Sequence, residues 1–147
     1  MGGSCLAQVY NQIGKSSPDL DDSKLFANFF SLINQFNKEG LISAYHDRSD
    51  GGAITTLLEM AFASHCGLDI QTTDPIFELF NEELGCVIQV PIINKSQVLE
   101  RIEKVGLNEC TISIAKINNT DEILIYQKGQ LLFSDKRENL QYKWCLF

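Results

Sequence analysis

Apolar residues recur at three- and four-residue steps along much of the chain, the spacing that places them on one face of a helix. The strongest run, from Leu25 to Phe36, predicts a helix that starts at Asp21 or Asp22 and stops at Gly40. Weaker runs predict helices at about 4–13, 52–65, 75–80 and 95–105. Ser134-Asp135 is predicted to cap a final helix that carries Leu140, Trp144 and Phe147.

Short apolar runs between these helices predict strands at 41–45, 68–72 and 85–90, the last of them buried. Further along, apolar residues alternate with polar ones, and Asn118-Asn119 and Lys128-Gly129 supply turns. The alternating pairs are Ile112/Ile114, Ile123/Ile125 and Leu131/Phe133. Interspersed strands and helices followed by an antiparallel meander predict an α+β fold, with a mixed β-sheet covered by packed helices.

Composition narrows the class of protein. A chain of 147 residues, 44% of them hydrophobic, can bury a core without a metal or disulfide. The net charge of −7 and only 12 scattered basic residues argue against a nucleic-acid surface. No apolar run is long enough to span a membrane, and the N-terminus lacks the pattern of a secretory signal. We therefore expect a cytoplasmic protein that binds neither nucleic acid nor membrane.

The five cysteines are widely spaced and contain no C-x-x-C pair. With His46 and His65 they make no zinc spacing. Apolar neighbours predict that they are reduced and buried, as small hydrophobic residues in a cytoplasmic protein are.

The segment Tyr45-His46-Asp47-Arg48-Ser49-Asp50-Gly51-Gly52 is the strongest candidate for chemistry. A strand ends there and a glycine pair opens a helix, whose first N–H groups suit a phosphate. The carboxylates of Asp47 and Asp50 are hard oxygen ligands of the kind Mg²⁺ takes between phosphates. Ser49 can bind a phosphate or a sugar hydroxyl, and Arg48 can pair with a phosphate or with a neighbouring carboxylate.

Two other interpretations of the polar segments stay open. Ser49 or Asp50 can be an ordinary N-cap, with Gly51-Gly52 a tight turn and Arg48 in an ion pair. The segment lacks the sequence of a Walker A loop and of the dinucleotide-binding fingerprint. Asn81-Glu82-Glu83, a second cluster, can orient a metal-bound water or be a solvated helix end.

Four long motifs, in order along nearly the whole chain, resemble the large single-chain phosphoribosylformylglycinamidine synthases. They are Gly2 to Tyr10, Ala44 to Gly52, Leu58 to Gly67, and Leu79 to Gly85. The resemblance implies that residues 1–147 are one AIR-synthase-related C-terminal domain from the second synthetase half of a much longer enzyme. It also implies an ATP-dependent C–N ligase of purine biosynthesis that uses glutamine as the amide donor.

By the same resemblance, Asp47 is a Mg²⁺ ligand and Ser49 contacts an ATP or ADP nucleotide. Gly51 and Gly52 are assigned to the phosphate cradle mainly on the physical argument above. His46, Arg48, Asp50, Glu82 and Glu83 receive no role. The partners implied are the nucleotide and the other domains of the polypeptide, namely AIR-synthase-like N-terminal domains and a glutaminase.

Two questions remain open from the sequence. The nucleotide site can be catalytic, or it can hold a structural ADP as a brace; the second-half motif favours the brace. The equivalent domain of another AIR-synthase-like enzyme is a weaker alternative. We expect the isolated chain to be inactive, to bind Mg-nucleotide weakly and to self-associate at high concentration, because its partners would normally cover apolar surface.

Overall fold

A computed structural model describes residues 2–146. Its helices are α1 Cys5–Val9, α2 Ser23–Lys38, α3 Gly52–Ser64, α4 Pro75–Phe80, α5 Lys95–Lys104 and α6 Arg137–Trp144. Its strands are β1 Ala44–Asp47, β2 Gly67–Thr72, β3 Cys86–Gln89, β4 Ala115–Asn118, β5 Glu122–Gln127 and β6 Gln130–Lys136. Within the described residues, no helix is long and apolar enough to cross a membrane.

The strands form two sheets. β1 and β3 make an antiparallel two-stranded ribbon. The larger sheet has the order β4-β2-β5-β6, in which β2 and β5 run parallel and the other neighbours antiparallel. The predicted α+β fold with a mixed sheet is confirmed. The predicted terminal meander is wrong, because β2 inserts between β4 and β5.

Two hydrophobic clusters lie on either side of the β1–β3 ribbon. The first joins α2, α5 and the segment after each, through Leu32, Phe36, Leu41, Val98, Ile102 and Leu107. The second joins α3 and α4 to the larger sheet, through Leu57, Ala61, Leu68, Ile70, Leu79 and Ile123. Neighbouring residues of β3 face opposite clusters, Ile88 the first and Val87 the second, as strand alternation requires. The ribbon is therefore anchored on both faces.

Local signals account for several helix ends. The Asp22 side chain accepts hydrogen bonds from the amides of Lys24 and Leu25, which caps α2 as predicted. Gly40 has a φ of 67°, the left-handed conformation expected after a helix. The predicted helix at 75–80 is confirmed, with Asp74 as its N-cap and Pro75 in its first turn.

Other predicted boundaries are wrong. α1 stops at Val9 rather than near residue 13, and β1 begins at Ala44, so that it runs into the polar motif. Ser134 and Asp135 belong to β6, and the last helix begins at Arg137. β4 lies just beyond Ile112/Ile114, β3 is only half buried, and Phe147 lies outside the described residues.

Several apolar side chains predicted to be internal are exposed. Phe30 of α2 is 63% exposed, although it belongs to the strongest periodic run. All five cysteines are free, but none is buried, and Cys5, Cys110 and Cys145 are exposed. The prediction of five buried cysteines is therefore wrong, although Cys66 and Cys86 are partly buried.

Glu78 of α4 ties this helix to the end of β2. Its carboxylate accepts hydrogen bonds from the hydroxyl of Thr72 at 2.5 Å, and from the hydroxyl and amide of Thr73 at 2.6 and 3.1 Å. Partial burial opposes ionisation, but these donors outweigh it and hold the pKa of Glu78 below its usual value.

We expect Glu78→Gln to lower the free energy of unfolding by about 1 kcal/mol at neutral pH, after allowance for solvent screening. The stabilisation by a carboxylate with a lowered pKa is complete above the ordinary glutamate value of about 4.3. It is lost as the pH falls through the lower folded-state pKa, so the difference between the two proteins should vanish in acid. Urea unfolding from pH 7 to pH 3 measures this, with Glu103→Gln on the exposed side of α5 as the control. A difference that grows in acid would contradict the assignment.

Candidate functional site

Strand β1 carries the first half of the polar motif and ends at Asp47. Because side chains alternate along a strand, Tyr45 and Asp47 share one face and His46 takes the other. The hydroxyl of Tyr45 donates a hydrogen bond to Oδ1 of Asp47. Burial and this carboxylate both raise the pKa of Tyr45, so its hydroxyl stays protonated and remains a donor.

The carboxylate of Asp47 is exposed at the edge of the ribbon. Its Oδ2 atom takes no part in the hydrogen bonds described for residues 2–146. Because the residue is exposed, this oxygen is accessible to a hard cation such as Mg²⁺. Opposite Asp47 on β3 lies Cys86, whose pKa rises to about 12 because of burial first and the negative Asp47 second. The thiol of Cys86 is therefore neutral and adds no charge next to Asp47.

On the other face of the ribbon, the imidazole Nε2 of His46 lies 2.7 Å from Oε2 of Glu59 in α3. The other oxygen of Glu59 accepts a hydrogen bond of 3.1 Å from the indole of Trp144. That indole also packs on Phe62, with 5.9 Å between ring centroids. His46 is therefore bound to α3 and turned away from Asp47, and Glu59 also binds Trp144 of the last helix.

The guanidinium of Arg48 points into the loop after α4. Its Nε donates to the carbonyl of Glu83 at 2.5 Å and its Nη2 to the carbonyl of Leu84 at 3.1 Å. Its amide donates to the carbonyl of Gly85 at 2.9 Å. Burial lowers the pKa of Arg48, and the side chain serves as a tie between the motif and this loop rather than as a free phosphate ligand.

The glycine pair opens α3 in a left-handed backbone conformation, which would be strained for any residue with a Cβ. Gly51 and Gly52 have φ values of 83° and 78°, which L-residues rarely adopt. A Cβ on Gly52 would lie 2.7 Å from the carbonyl oxygen of Leu79 and 2.9 Å from that of Asn81. Gly52 therefore allows the start of α3 to touch the end of α4.

The amides of the two glycines already have acceptors. Gly51 donates to Oε1 of Glu82 at 2.8 Å, and Gly52 donates to the carbonyl of Ser49 at 3.0 Å. A phosphate bound to the Gly51 amide would have to displace the Glu82 carboxylate. Gly51 and Gly52 therefore form a tight turn in the structure. That they contact a phosphate stays a prediction.

Ser49 and Asp50, between these ties, are exposed together with Asp47. Thr56, in the first turns of α3, is buried and donates to the carbonyls of Asp47 and Gly52, each at 3.2 Å. The backbone on both sides of the exposed tip is thus bonded to the body of the protein. Three polar side chains consequently project from a braced turn.

A complete metal cage is absent from the described part of the chain. Across residues 2–146, no three His, Cys, Asp or Glu side chains are placed to hold one metal ion. A carboxylate such as that of Asp47 has the right chemistry for Mg²⁺, which also accepts water and phosphate oxygens. Any Mg²⁺ at this turn would take most of its ligands from water, from a nucleotide or from other groups.

The sequence profile described as "AIR synthase related protein, C-terminal domain" matches residues 1–126. The chain belongs to this family. It is also 44% identical, over 98% of its length, to the phosphoribosylformylglycinamidine synthase of Schizosaccharomyces pombe. The chain spans only 11% of that relative. The resemblance stated from the four motifs is confirmed at the level of the family.

Several solved structures share this fold. One titled as T. maritima PurL complexed with ATP has a TM-score of 0.67 and 16% identity, covering 95% of this chain and 23% of that chain. Another, titled as T. maritima PurL complexed with ADP, has the same TM-score and identity over 82% of this chain and 22% of its own. A HypE–HypF complex gives a TM-score of 0.60 at 15% identity, over 89% of this chain and 47% of that one. At such identities the likeness establishes the fold alone.

The sequence predicted the exposed residues of the candidate site, but not the residues that support them. Tyr45 could have been recognised, because residues two apart on a strand share a face. The bond from Gly51 to Glu82, 31 residues away, has no local signal. It depends on the packing of α3 against α4, which the sequence alone did not predict.

Proposed function

We propose that this chain is the C-terminal domain of an AIR-synthase-like half of a phosphoribosylformylglycinamidine synthase. In this proposal residues 1–147 are one domain of a longer polypeptide. The other AIR-synthase-like domains and a glutaminase domain complete the enzyme. Support comes from membership of the family and from the 44% identity to the yeast synthase across nearly the whole chain.

The proposed reaction is the ATP- and glutamine-dependent conversion of formylglycinamide ribonucleotide to formylglycinamidine ribonucleotide, in purine biosynthesis. ATP phosphorylates the amide oxygen of the substrate, and ammonia released from glutamine then displaces phosphate. Mg²⁺ would neutralise phosphate charge during nucleotide binding. We propose that this chain supplies part of the nucleotide site and that the isolated domain is inactive.

The observation that carries the proposal is the braced turn with exposed Asp47 and Ser49. Asp47 would ligate Mg²⁺ through its solvent-facing oxygen, while the hydroxyl of Tyr45 orients the carboxylate. Ser49 would donate a hydrogen bond to the nucleotide. Gly51 and Gly52 belong to the proposed site because they shape the turn.

We expect Asp47→Ala in the complete enzyme to weaken Mg-nucleotide binding by about tenfold or more, because a charged metal ligand is lost. Calorimetric titration with MgADP measures the affinity, with Asp21→Asn on the exposed loop before α2 as the control. Unchanged affinity in Asp47→Ala would refute the proposed site.

The same variant separates the two roles of the nucleotide. If the nucleotide is a structural brace, Asp47→Ala should lower the melting temperature while each folded molecule keeps near-normal turnover. If the site is catalytic, the variant should remain stable and lose activity. The position of this motif in the second half favours the brace.

A further inference from the structure

Two segments far apart in sequence are joined by hydrogen bonds in both directions, because each segment contributes a side chain that binds the main chain of the other. The guanidinium of Arg48, in the motif, binds the main-chain carbonyls of Glu83 and Leu84. The carboxylate of Glu82, in that loop, binds the main-chain amide of Gly51. Each segment thus lends a side chain to the backbone of the other, and the two ties flank the exposed tip formed by Ser49 and Asp50.

The loop that provides these ties is itself shaped by local bonds. Asn81 is buried, and its side-chain oxygen accepts a hydrogen bond of 2.6 Å from the amide of Glu83. The backbone of residues 79–81 also lies against Gly52, too close for any side chain there. The loop is therefore a packed surface on which the turn rests.

A second bond extends the reach of Glu82. The same Oε1 atom that accepts from Gly51 also accepts a hydrogen bond of 2.9 Å from the amide of Cys5. Cys5 is the first residue of α1, and the preceding segment is bound in turn, since the amide of Gly2 donates to the carbonyl of Ser16 at 2.7 Å. One carboxylate oxygen therefore connects the N-terminal segment, the loop after α4 and the start of α3.

We infer that Glu82 is a positioning residue for the proposed nucleotide site. Its carboxylate binds the amides of Gly51 and Cys5 and so fixes the turn between β1 and α3. Asp47 and Ser49, which precede Gly51 in that turn, are thereby kept in the orientation in which they bind a Mg-nucleotide. Glu82 touches neither the nucleotide nor the metal in this account. The inference rests on the proposed function of Asp47 and Ser49.

The contributions of the Glu82 side-chain length and of its oxygen acceptor can be tested separately. Glu82→Ala removes the acceptor. Glu82→Asp keeps the charge but shortens the side chain, so that one oxygen no longer reaches both amides. Glu82→Gln keeps both the length and an oxygen acceptor. Glu83→Gln is the matched control, because it neutralises the adjacent carboxylate and leaves the carbonyl that Arg48 binds.

Titration of the complete enzyme with MgADP, together with its melting temperature, is the measurement. We expect the dissociation constant to rise about tenfold in Glu82→Ala and severalfold in Glu82→Asp. It should stay within about threefold of the parent in Glu82→Gln, and Glu83→Gln should match the parent. If Glu82→Ala does not fold, the comparison of Glu82→Asp with Glu82→Gln still decides the question.

Wild-type affinity in Glu82→Asp would overturn the positioning role, even if the melting temperature falls, because the carboxylate would then be merely structural. Asp47→Ala separates the proposed nucleotide site from the proposed role of Glu82. If Asp47→Ala weakens nucleotide binding and the Glu82 variants do not, the proposed function stands and the role of Glu82 fails. If Asp47→Ala also binds normally, both are refuted.

Discussion

Gly52→Ala should lower the free energy of unfolding by about 3 kcal/mol or more. An alanine at a φ of 78° costs about 1–2 kcal/mol in backbone strain alone. Its methyl group would also lie 2.7 Å from the carbonyl oxygen of Leu79, and such crowding of fixed backbone adds about 1–3 kcal/mol. The protein must separate α3 from α4 to relieve the contact, which would also disturb the motif turn.

Gly106→Ala is the matched control for this prediction. Gly106 has the same φ of 78°, but no atom lies within 4 Å of where its Cβ would be. We expect it to lose only the strain contribution of about 1–2 kcal/mol. Urea or guanidinium unfolding of the 147-residue chain gives both values. Equal destabilisation of the two variants would mean that the close approach at Gly52 has no energetic weight.

The ion pair between the buried Arg137, at the start of α6, and the partly exposed Asp121 should produce the second large effect. Arg137 is only 5% exposed, and its guanidinium binds the carboxylate of Asp121 through Nε at 2.5 Å and Nη2 at 3.3 Å. The amide of Arg137 also donates to the carbonyl of Asp121, at 2.9 Å. These bonds attach α6 to the turn between β4 and β5.

We expect Asp121→Asn to cost about 2 kcal/mol, because it neutralises the carboxylate that a buried guanidinium binds. The guanidinium then keeps Gln141 at 2.6 Å and the exposed Glu138 at 3.9 Å. Asparagine retains the shape of the side chain and tolerates the φ of 59° at this position, so backbone strain does not confuse the result. The double variant Asp121→Asn with Arg137→Met should be more stable than Asp121→Asn alone, since no buried guanidinium is left.

Denaturant unfolding of the parent, the single variants and the double variant completes the cycle. Glu100→Gln is the control, because its ion pair with Lys104 is exposed on both sides and should leave the unfolding midpoint unchanged. Additive effects of the two substitutions would show that the pair has no coupling and that the prediction is wrong.

The parts of the fold that the sequence predicted are those with local causes. Asp22, Gly40 and the Asp74-Pro75 pair determine helix ends through their own side chains and backbone. By contrast, the strand order depends on contacts such as that of Leu68 with Ile123, more than fifty residues apart. Alternating residues predict a strand but not its neighbour, so the sequence placed β5 beside β4.

The same division applies to the candidate site. Asp47, Ser49 and the glycine pair were identified because a strand, a polar turn and a helix start follow one another directly. Arg48 was open to several roles, since only the fold shows that its guanidinium meets loop carbonyls. The prediction that Ser134-Asp135 caps the last helix is wrong for a related reason, because long-range strand pairing decides where these residues lie. Both residue types favour helix caps, yet pairing of Ser134 with Leu124 keeps them in β6.

Trp144 is the sole tryptophan of the chain, and it is bound where α6 meets α3. Its fluorescence therefore reports on the contact between α6 and α3. Because Glu59 joins the indole to His46, next to Asp47, a change of emission on adding nucleotide would signal movement transmitted from the motif without any attached dye. Loss of that signal ahead of the far-ultraviolet circular dichroism would reveal that the last helix detaches before the remainder unfolds.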